Sequence, residues 1–157
     1  WAGPPEDPAL DEYIVKKVME FPGKKAVCGG TTGNILARVL GKDIKVDLSS
    51  IQEDIPPVGI MEGVDLLTEG ILTLAAVLRQ LRKGVKLEEV IYRSDGASRL
   101  LSLLLEADEI NFIGGRAINV AHQNPKLSGE LSLKARLLED IVHELQKRGK
   151  TVTLEYY

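Results

Sequence analysis

The sequence predicts an α/β domain built on an open, mostly parallel sheet with helices on both faces. Short apolar runs alternate with segments whose apolar residues recur at helical spacing, as Ala26-Val27 precedes Ile35, Leu36, Val39 and Leu40. Two of the runs end in paired glycines, Gly29-Gly30 and Gly114-Gly115. Strands separated by helices need crossover connections, and right-handed crossovers lay such strands parallel with the helices over both faces. The pattern is Rossmann-like, and in sheets of this kind ligands sit beyond the carboxyl ends of the strands.

Composition bounds the rest. A chain of 157 residues, 44% hydrophobic and 27% charged, has the length and balance of a globular domain rather than a disordered one. Aromatic residues make up only 4%, so aliphatic side chains must build the core. A formal charge of −3 with no basic run gives no electrostatic footprint for nucleic acid. The lone cysteine excludes an intrachain disulfide framework and fits a reducing compartment, so the cytoplasm is the expected location. Apolar runs such as Gly70 to Leu78 are too short to span a bilayer, and no membrane partner is expected. The opening Trp1-Ala2-Gly3, without a methionine, is expected of a piece of a longer protein.

Taken in order, residues 1–9 include Gly3-Pro4-Pro5-Glu6-Asp7-Pro8 and read as a linker, with residues 10–157 forming a single α/β domain. Asp11 opens a helix through Ile14, Val18 and Met19 that Pro22-Gly23 stops. After the strand and helix around Gly29-Gly30, Gly41 is a natural left-handed C-terminal cap. Asp43 to Leu48, with alternating charge, reads as a short strand near an edge, although Ile44 to Val46 is also expected near the middle of a sheet of at least four strands. Ser49 to Pro57 reads as loop, and Val58 to Gly63 shows no clear period. Val64 to Gly70 is strand and helix start, and the helix carries Leu72, Ala75, Ala76 and Leu78 to about Lys83. Gly84 to Arg93 is ambiguous between helical turn and strand. Asp95-Gly96 makes a turn, Ala97 to Ala107 a helix, Glu109 to Gly115 a strand with its glycine pair, Leu131 to Arg148 the longest helix and Thr151 to Glu155 a last strand.

The candidate chemistry gathers at the glycine turns. Gly29, Gly30, Thr31, Thr32, Gly33 and Asn34 form a strand-to-helix turn that lets a ligand approach backbone N–H groups at a helix start. The same residues are equally those of a tight turn with a threonine cap. The turn lacks a Walker lysine and does not fit G-x-G-x-x-G, so a small anion suits it better than a nucleoside triphosphate or dinucleotide. Thr68 and Glu69 offer a strand-end carboxylate that serves as base, hydroxyl orienter or helix cap, with capping favoured. Gly114, Gly115, Arg116, Asn119 and His122, with Asn124, form either a polar crevice wall in which Arg116 clamps an anion or a network tying down a loop. Both glycine turns follow strands of one parallel sheet, so they are expected side by side in one crevice. Cys28 is either a thiolate activated by the helix start or, as is commoner, a small core hydrophobe. His122 and His143 are not at metal-ligand spacing, and His143 is expected on the solvent side of its helix.

Several stretches together resemble a known family. They are Lys24 to Asn34, Gly63-Val64-Asp65-Leu66-Leu67-Thr68-Glu69-Gly70-Ile71-Leu72-Thr73-Leu74, Arg116-Ala117-Ile118-Asn119, His122-Gln123-Asn124-Pro125 and the closing Tyr156-Tyr157. The chain from about Pro4 is similar to the C-terminal extension of bacterial serine/threonine phosphatases of the sporulation stage II protein E type, metal-dependent enzymes of the 2C class. The resemblance implies an upstream phosphatase domain, preceding Trp1, in which aspartates hold divalent manganese or magnesium. It implies no catalytic residue and no cofactor in this chain, because the partner aspartates have no counterpart here and Ser94-Asp95-Gly96 reads as a turn. The expected function is that of an accessory domain binding a small anionic ligand or a partner. The alternatives are a free-standing enzyme acting on a phosphorylated or carboxylated substrate through Glu69 or Cys28, and a homodimer formed through Leu100, Leu104 and Leu105.

Overall fold

The computed structural model describes residues 1–117 and 127–157, with side chains described for 1–117 and 133–157. Its strands are β1 (Ala26–Cys28), β2 (Lys45–Asp47), β3 (Val58–Ile60), β4 (Leu66–Thr68), β5 (Glu109–Gly114) and β6 (Thr151–Tyr156). Its helices are α1 (Asp11–Glu20), α2 (Gly30–Leu40), α3 (Ile71–Arg82), the single turn α4 (Leu87–Val90), α5 (Gly96–Glu106) and α6 (Leu127–Lys147). The class is mixed α/β. Four strands form a sheet in the order β1-β4-β3-β2, and β5 pairs with β6.

The pairing is mixed where a mostly parallel sheet was expected. β1 runs parallel to β4 and β5 to β6, whereas β2 and β3 are antiparallel neighbours and β3 is antiparallel to β4. The physical reason is the connection between β2 and β3. It holds only a short 3-10 turn at Leu48–Ser50 and a proline loop, with no helix to carry the chain back over the sheet, so the chain reverses. β2 accordingly lies at the outer edge, with Val46 exposed, and not near the middle of the sheet. Ser50 pins this reversal, since its buried hydroxyl accepts from Val58 N–H at 2.7 Å and donates to Asp47 C=O at 2.6 Å.

Strand alternation sorts the core into two layers. Val27, Leu67 and Ile113 meet Ile14, Val15, Val18 and Leu36 of α1 and α2 on one face. Cys28, Leu66 and Ile110 meet Leu74 and Val77 of α3, Leu101 and Leu104 of α5, and Leu138 and Ile141 of α6 on the other. Leu100 and Leu104 are buried in that second layer and Leu105 packs against it, so the helix face considered for dimerisation is already covered.

The entry segment read as a linker enters the sheet. Trp1 and Ala2 are buried, and Ala2 forms parallel bridges to Cys28 on one side and Gly114 on the other. The two sheets thereby share one strand direction, and β1, β4, β5 and β6 all end at the same edge. Gly41 caps α2 in the left-handed region at φ 63°, its N–H reaching the Ala37 and Arg38 carbonyls.

Arg99 of α5 ties down the β2 edge through Asp47, at 2.9 Å. The Ser49 hydroxyl and then the Arg99 guanidinium hold the Asp47 carboxyl below its ordinary value of 3.8. A carboxylate whose folded value is depressed stabilises the fold above its unfolded value, and that contribution disappears as pH falls through the folded one. Glu155 and Glu144 are lowered too, by Lys17 and Lys147. Thermal melts at a series of pH values should therefore show stability falling as pH drops below about 4. In Asp47→Asn the fall should be shallower below that point, with the melting temperature at neutral pH already reduced.

Candidate functional site

The carboxyl ends of β1 and β4 frame the candidate site. β1 ends in Gly29, whose φ of 117° is open to glycine and whose N–H donates to Thr68 C=O at 2.8 Å. The chain then turns directly into α2. β4 ends in Thr68-Glu69-Gly70 and turns into α3. α2 packs on the face of α1, α3 on the opposite face, so the helices leaving these adjacent parallel strands diverge to the two sides of the sheet. In open α/β sheets such a divergence is where ligands sit, and the candidate crevice lies between these strand ends. The two turns are neighbours there, since a Cβ on Gly70 would lie 3.5 Å, an ordinary contact distance, from the Gly29 Cα.

Polar groups around this crevice are committed to different degrees. The Glu69 carboxylate accepts from Leu72 N–H at 2.9 Å and Thr73 N–H at 3.3 Å, which makes it the cap of α3. Asp95 caps α5 by accepting from Ser98 N–H at 2.9 Å. α2 has no side-chain cap, and Gly30, Thr31 and Asn34 at its first turn are exposed. The first N–H groups of an α-helix have no intrahelical acceptor, so the start of α2 offers donors to an anion. Thr32, only 1% exposed, does not face solvent, and its hydroxyl accepts from Gly3 N–H at 3.1 Å. Gly33 is buried against Ile44 and Leu67. Thr68 is buried, its hydroxyl donating to Glu69 C=O at 2.8 Å.

The second glycine turn leaves the same edge, with residues 2–4 running between it and the first. Gly115 N–H donates to Ala2 C=O at 2.9 Å and Ala117 N–H to Pro4 C=O at 3.0 Å. A Cβ on Gly115 would stand 2.0 Å from the Pro4 oxygen, so only glycine fits there. Gly114 packs against the Tyr156 ring, and the exposed Arg116 lays its guanidinium over that ring, 4.7 Å from the centroid. Burial, with the Glu139 carboxylate accepting from its hydroxyl, pushes Tyr156 up to about 12. Asn119, His122 and Asn124 lie outside the described residues.

Cys28 is buried, and burial pushes its thiol above the ordinary range, which opposes a reactive thiolate. His143 is exposed on α6, as expected. Among the described residues no group of three or more His, Cys, Asp or Glu side chains is placed to hold a metal ion. Among them, too, no helix is long and apolar enough to cross a membrane.

Sequence reasoning missed Gly70 as the neighbour of Gly29 and residues 2–4 as the element between the two glycine turns. Gly70 carried a usable signal, since a glycine after an apolar run and before a helical period repeats the Gly29 pattern. Trp1-Ala2 is too short to carry any.

A geometry of this kind defines a mixed α/β domain in which the parallel strands β1 and β4 end side by side, each running into a helix. Comparison with protein-family models, with curated proteins and with solved structures gives no match to the chain.

Gly115→Ala and Thr32→Val should both loosen residues 2–4. The alanine methyl collides with backbone and should cost about 1–3 kcal/mol or more, as overpacking does. The valine leaves the buried Gly3 N–H without an acceptor, at a cost of about 1–3 kcal/mol. Urea unfolding measures both, and faster exchange of the Ala2 and Gly3 amides locates the effect.

Proposed function

We propose that this chain is an accessory domain of a bacterial metal-dependent serine/threonine phosphatase of the sporulation stage II protein E type. In this reading a small anion, such as a phosphate, sulfate or carboxylate group, binds at the start of α2, and its occupancy is conveyed to an upstream phosphatase domain. The observation that carries the ligand half of the reading is the uncapped, exposed start of α2 at the divergence of α2 and α3, beside helices that are capped by their own carboxylates. The family half is supported by the sequence resemblance. The strand direction shared by β1, β4, Ala2, β5 and β6 supports a Rossmann-like core, with the antiparallel β3 and β2 as an extension of it. Arg116, exposed after β5 with its guanidinium over the Tyr156 ring, would turn toward such an anion in this reading. An enzyme acting through Cys28 or Glu69 draws no support, since the first is buried and the second caps α3.

Titration calorimetry with inorganic phosphate, sulfate and phosphorylated metabolites tests the site. Gly30→Asp is the sharp variant: a Cβ at Gly30 meets nothing within 4 Å, and a carboxylate in the first turn favours the helix while occupying the place of the anion. Binding should disappear in Gly30→Asp with the fold intact. Arg116→Ala should weaken it by about 1.5–3 kcal/mol, the scale of a hydrogen bond to a charged group. Unchanged binding in Gly30→Asp would end the ligand reading, and unchanged binding in Arg116→Ala alone would confine the site to α2.

The chain by itself should not hydrolyse an aryl phosphate with manganese, because two-metal hydrolysis needs carboxylates that position and activate water. Turnover that vanishes in Asp95→Asn would overturn this, since asparagine also caps helices and leaves α5 in place.

A further inference from the structure

Among the described residues, β1 and β5 are joined only at their carboxyl ends, through Trp1 and Ala2. There the Trp1 N–H donates to Ala26 C=O at 2.9 Å and the Cys28 N–H to Trp1 C=O at 2.8 Å. On the other side the Ala2 N–H donates to Ile113 C=O at 2.8 Å. Toward the opposite end no described strand lies in line with Ala2, and β5 pairs with β6 alone. Both backbone groups of a strand residue point the same way, and alternate residues face opposite neighbours. Because the Ala26 and Ile113 carbonyls face the gap, the N–H groups of Ala26, Asn111 and Ile113 face it too.

The gap is a cavity of about 670 Å³. Val18 of α1, Phe21 just after it and the paired Lys17 and Glu155 line one wall; Leu74, Leu100, Leu104 and Leu138 line the other. Lys24, Lys25, Asp108 and Glu109 stand among its lining residues at the amino-terminal ends of β1 and β5. It thus has the parts of a strand position: two backbone edges, an apolar layer on the side of α3 to α6, a mixed layer on the side of α1, and a charged mouth.

We propose that this gap is a strand site, filled by an extended segment that runs into Trp1 and pairs in parallel with both β1 and β5, closing the two sheets into one. At about 3.3 Å per residue, the stretch of β5 ahead of Gly114 takes about four residues of such a strand. The occupant is the segment joining Trp1 to the upstream domain, and this origin rests on the accessory-domain reading. Continuity with Trp1 and Ala2, already seated in the site at its carboxyl end, fixes direction and register. The residue next to Trp1 falls on the face of Ala2, against α3 to α6, and the one before it on the face of Trp1, against α1. The face toward α3 to α6 is apolar, so the residue next to Trp1 and its alternates are aliphatic and β-branched, whereas the α1 face, with Lys17 and Glu155 beside Val18 and Phe21, also takes polar residues.

The test compares the chain starting at Trp1 with the same chain extended by the residues its own reading frame places before Trp1. Amide exchange by NMR should be at least about tenfold slower at Ala26, Asn111 and Ile113 in the extended chain. A proline two residues before Trp1 removes a donor and should restore fast exchange at those amides while Leu101 and Ile141 in the core stay protected. If the shorter chain does not fold, the extended chain with and without the proline carries the comparison. Equal exchange at the three amides overturns the strand site, as does a small molecule found in the gap of the extended chain. Slowed exchange with an extension that belongs to no phosphatase domain upholds the strand site and removes the accessory-domain reading. Equal exchange with a phosphatase domain present removes the strand site alone.

Discussion

The passage of Trp1 and Ala2 between β1 and β5 is the constraint on which the rest of the structure depends. β1 and β5 are not hydrogen-bonded to each other. Backbone bonds from these two residues reach Ala26, Cys28, Ile113 and Gly115, and each contributes about 0.5–1.5 kcal/mol net. Burial of the Trp1 side chain among Ile14, Val15 and Ile113 adds the hydrophobic share. Because the bridges are parallel on both sides, every strand they align ends at one edge, and that is why the two glycine turns open there together.

Beyond Ala2 the same segment stays committed to the edge. Gly3 meets the Thr32 hydroxyl in the first turn of α2, and Pro4 C=O receives the Ala117 N–H after β5. At the end of the chain, Tyr157 C=O accepts from Glu6 and Arg116, while Lys17 of α1 pairs with Glu155 and lies 5.4 Å from the Tyr157 ring centroid. Two threads from opposite ends of the sequence therefore close over one side of the strand ends. The other side of the strand ends carries Gly29 and Gly70, which lie against one another.

Capping explains why this side is selective in what it offers. α3 and α5 begin at the same edge as α2, yet each spends a carboxylate of its own on its first turn. Those carboxylates neutralise the positive ends of their helices and leave α2 as the unsatisfied one. Thr32, the residue best suited by type to cap it, is turned inward to hold Gly3. The threonine cap that the sequence suggested and the anion site it equally suggested are thus separated by where one hydroxyl points.

The sequence by itself determined the elements that carry a period or a stop. α2 with its Gly41 cap, α3, α5, α6, β5 and β6 are long enough for helical or strand repetition to show, and Glu69 precedes a helix at a capping position, whereas Asp95, read as part of a turn, proves to cap α5. The turn at Gly29 was visible because paired glycines follow an apolar run. What only the tertiary structure decided are matters of adjacency. A three-residue strand such as β3 has no period to read, and its direction follows from the lack of a helix between β2 and β3. Whether Leu100 and Leu104 face solvent or core depends on what packs over α5. Gly70 reaches Gly29, and Pro4 reaches Gly115, only after strands distant in sequence pair, because hydrogen bonding between strands selects partners by register in space and leaves no mark of that choice in either strand alone.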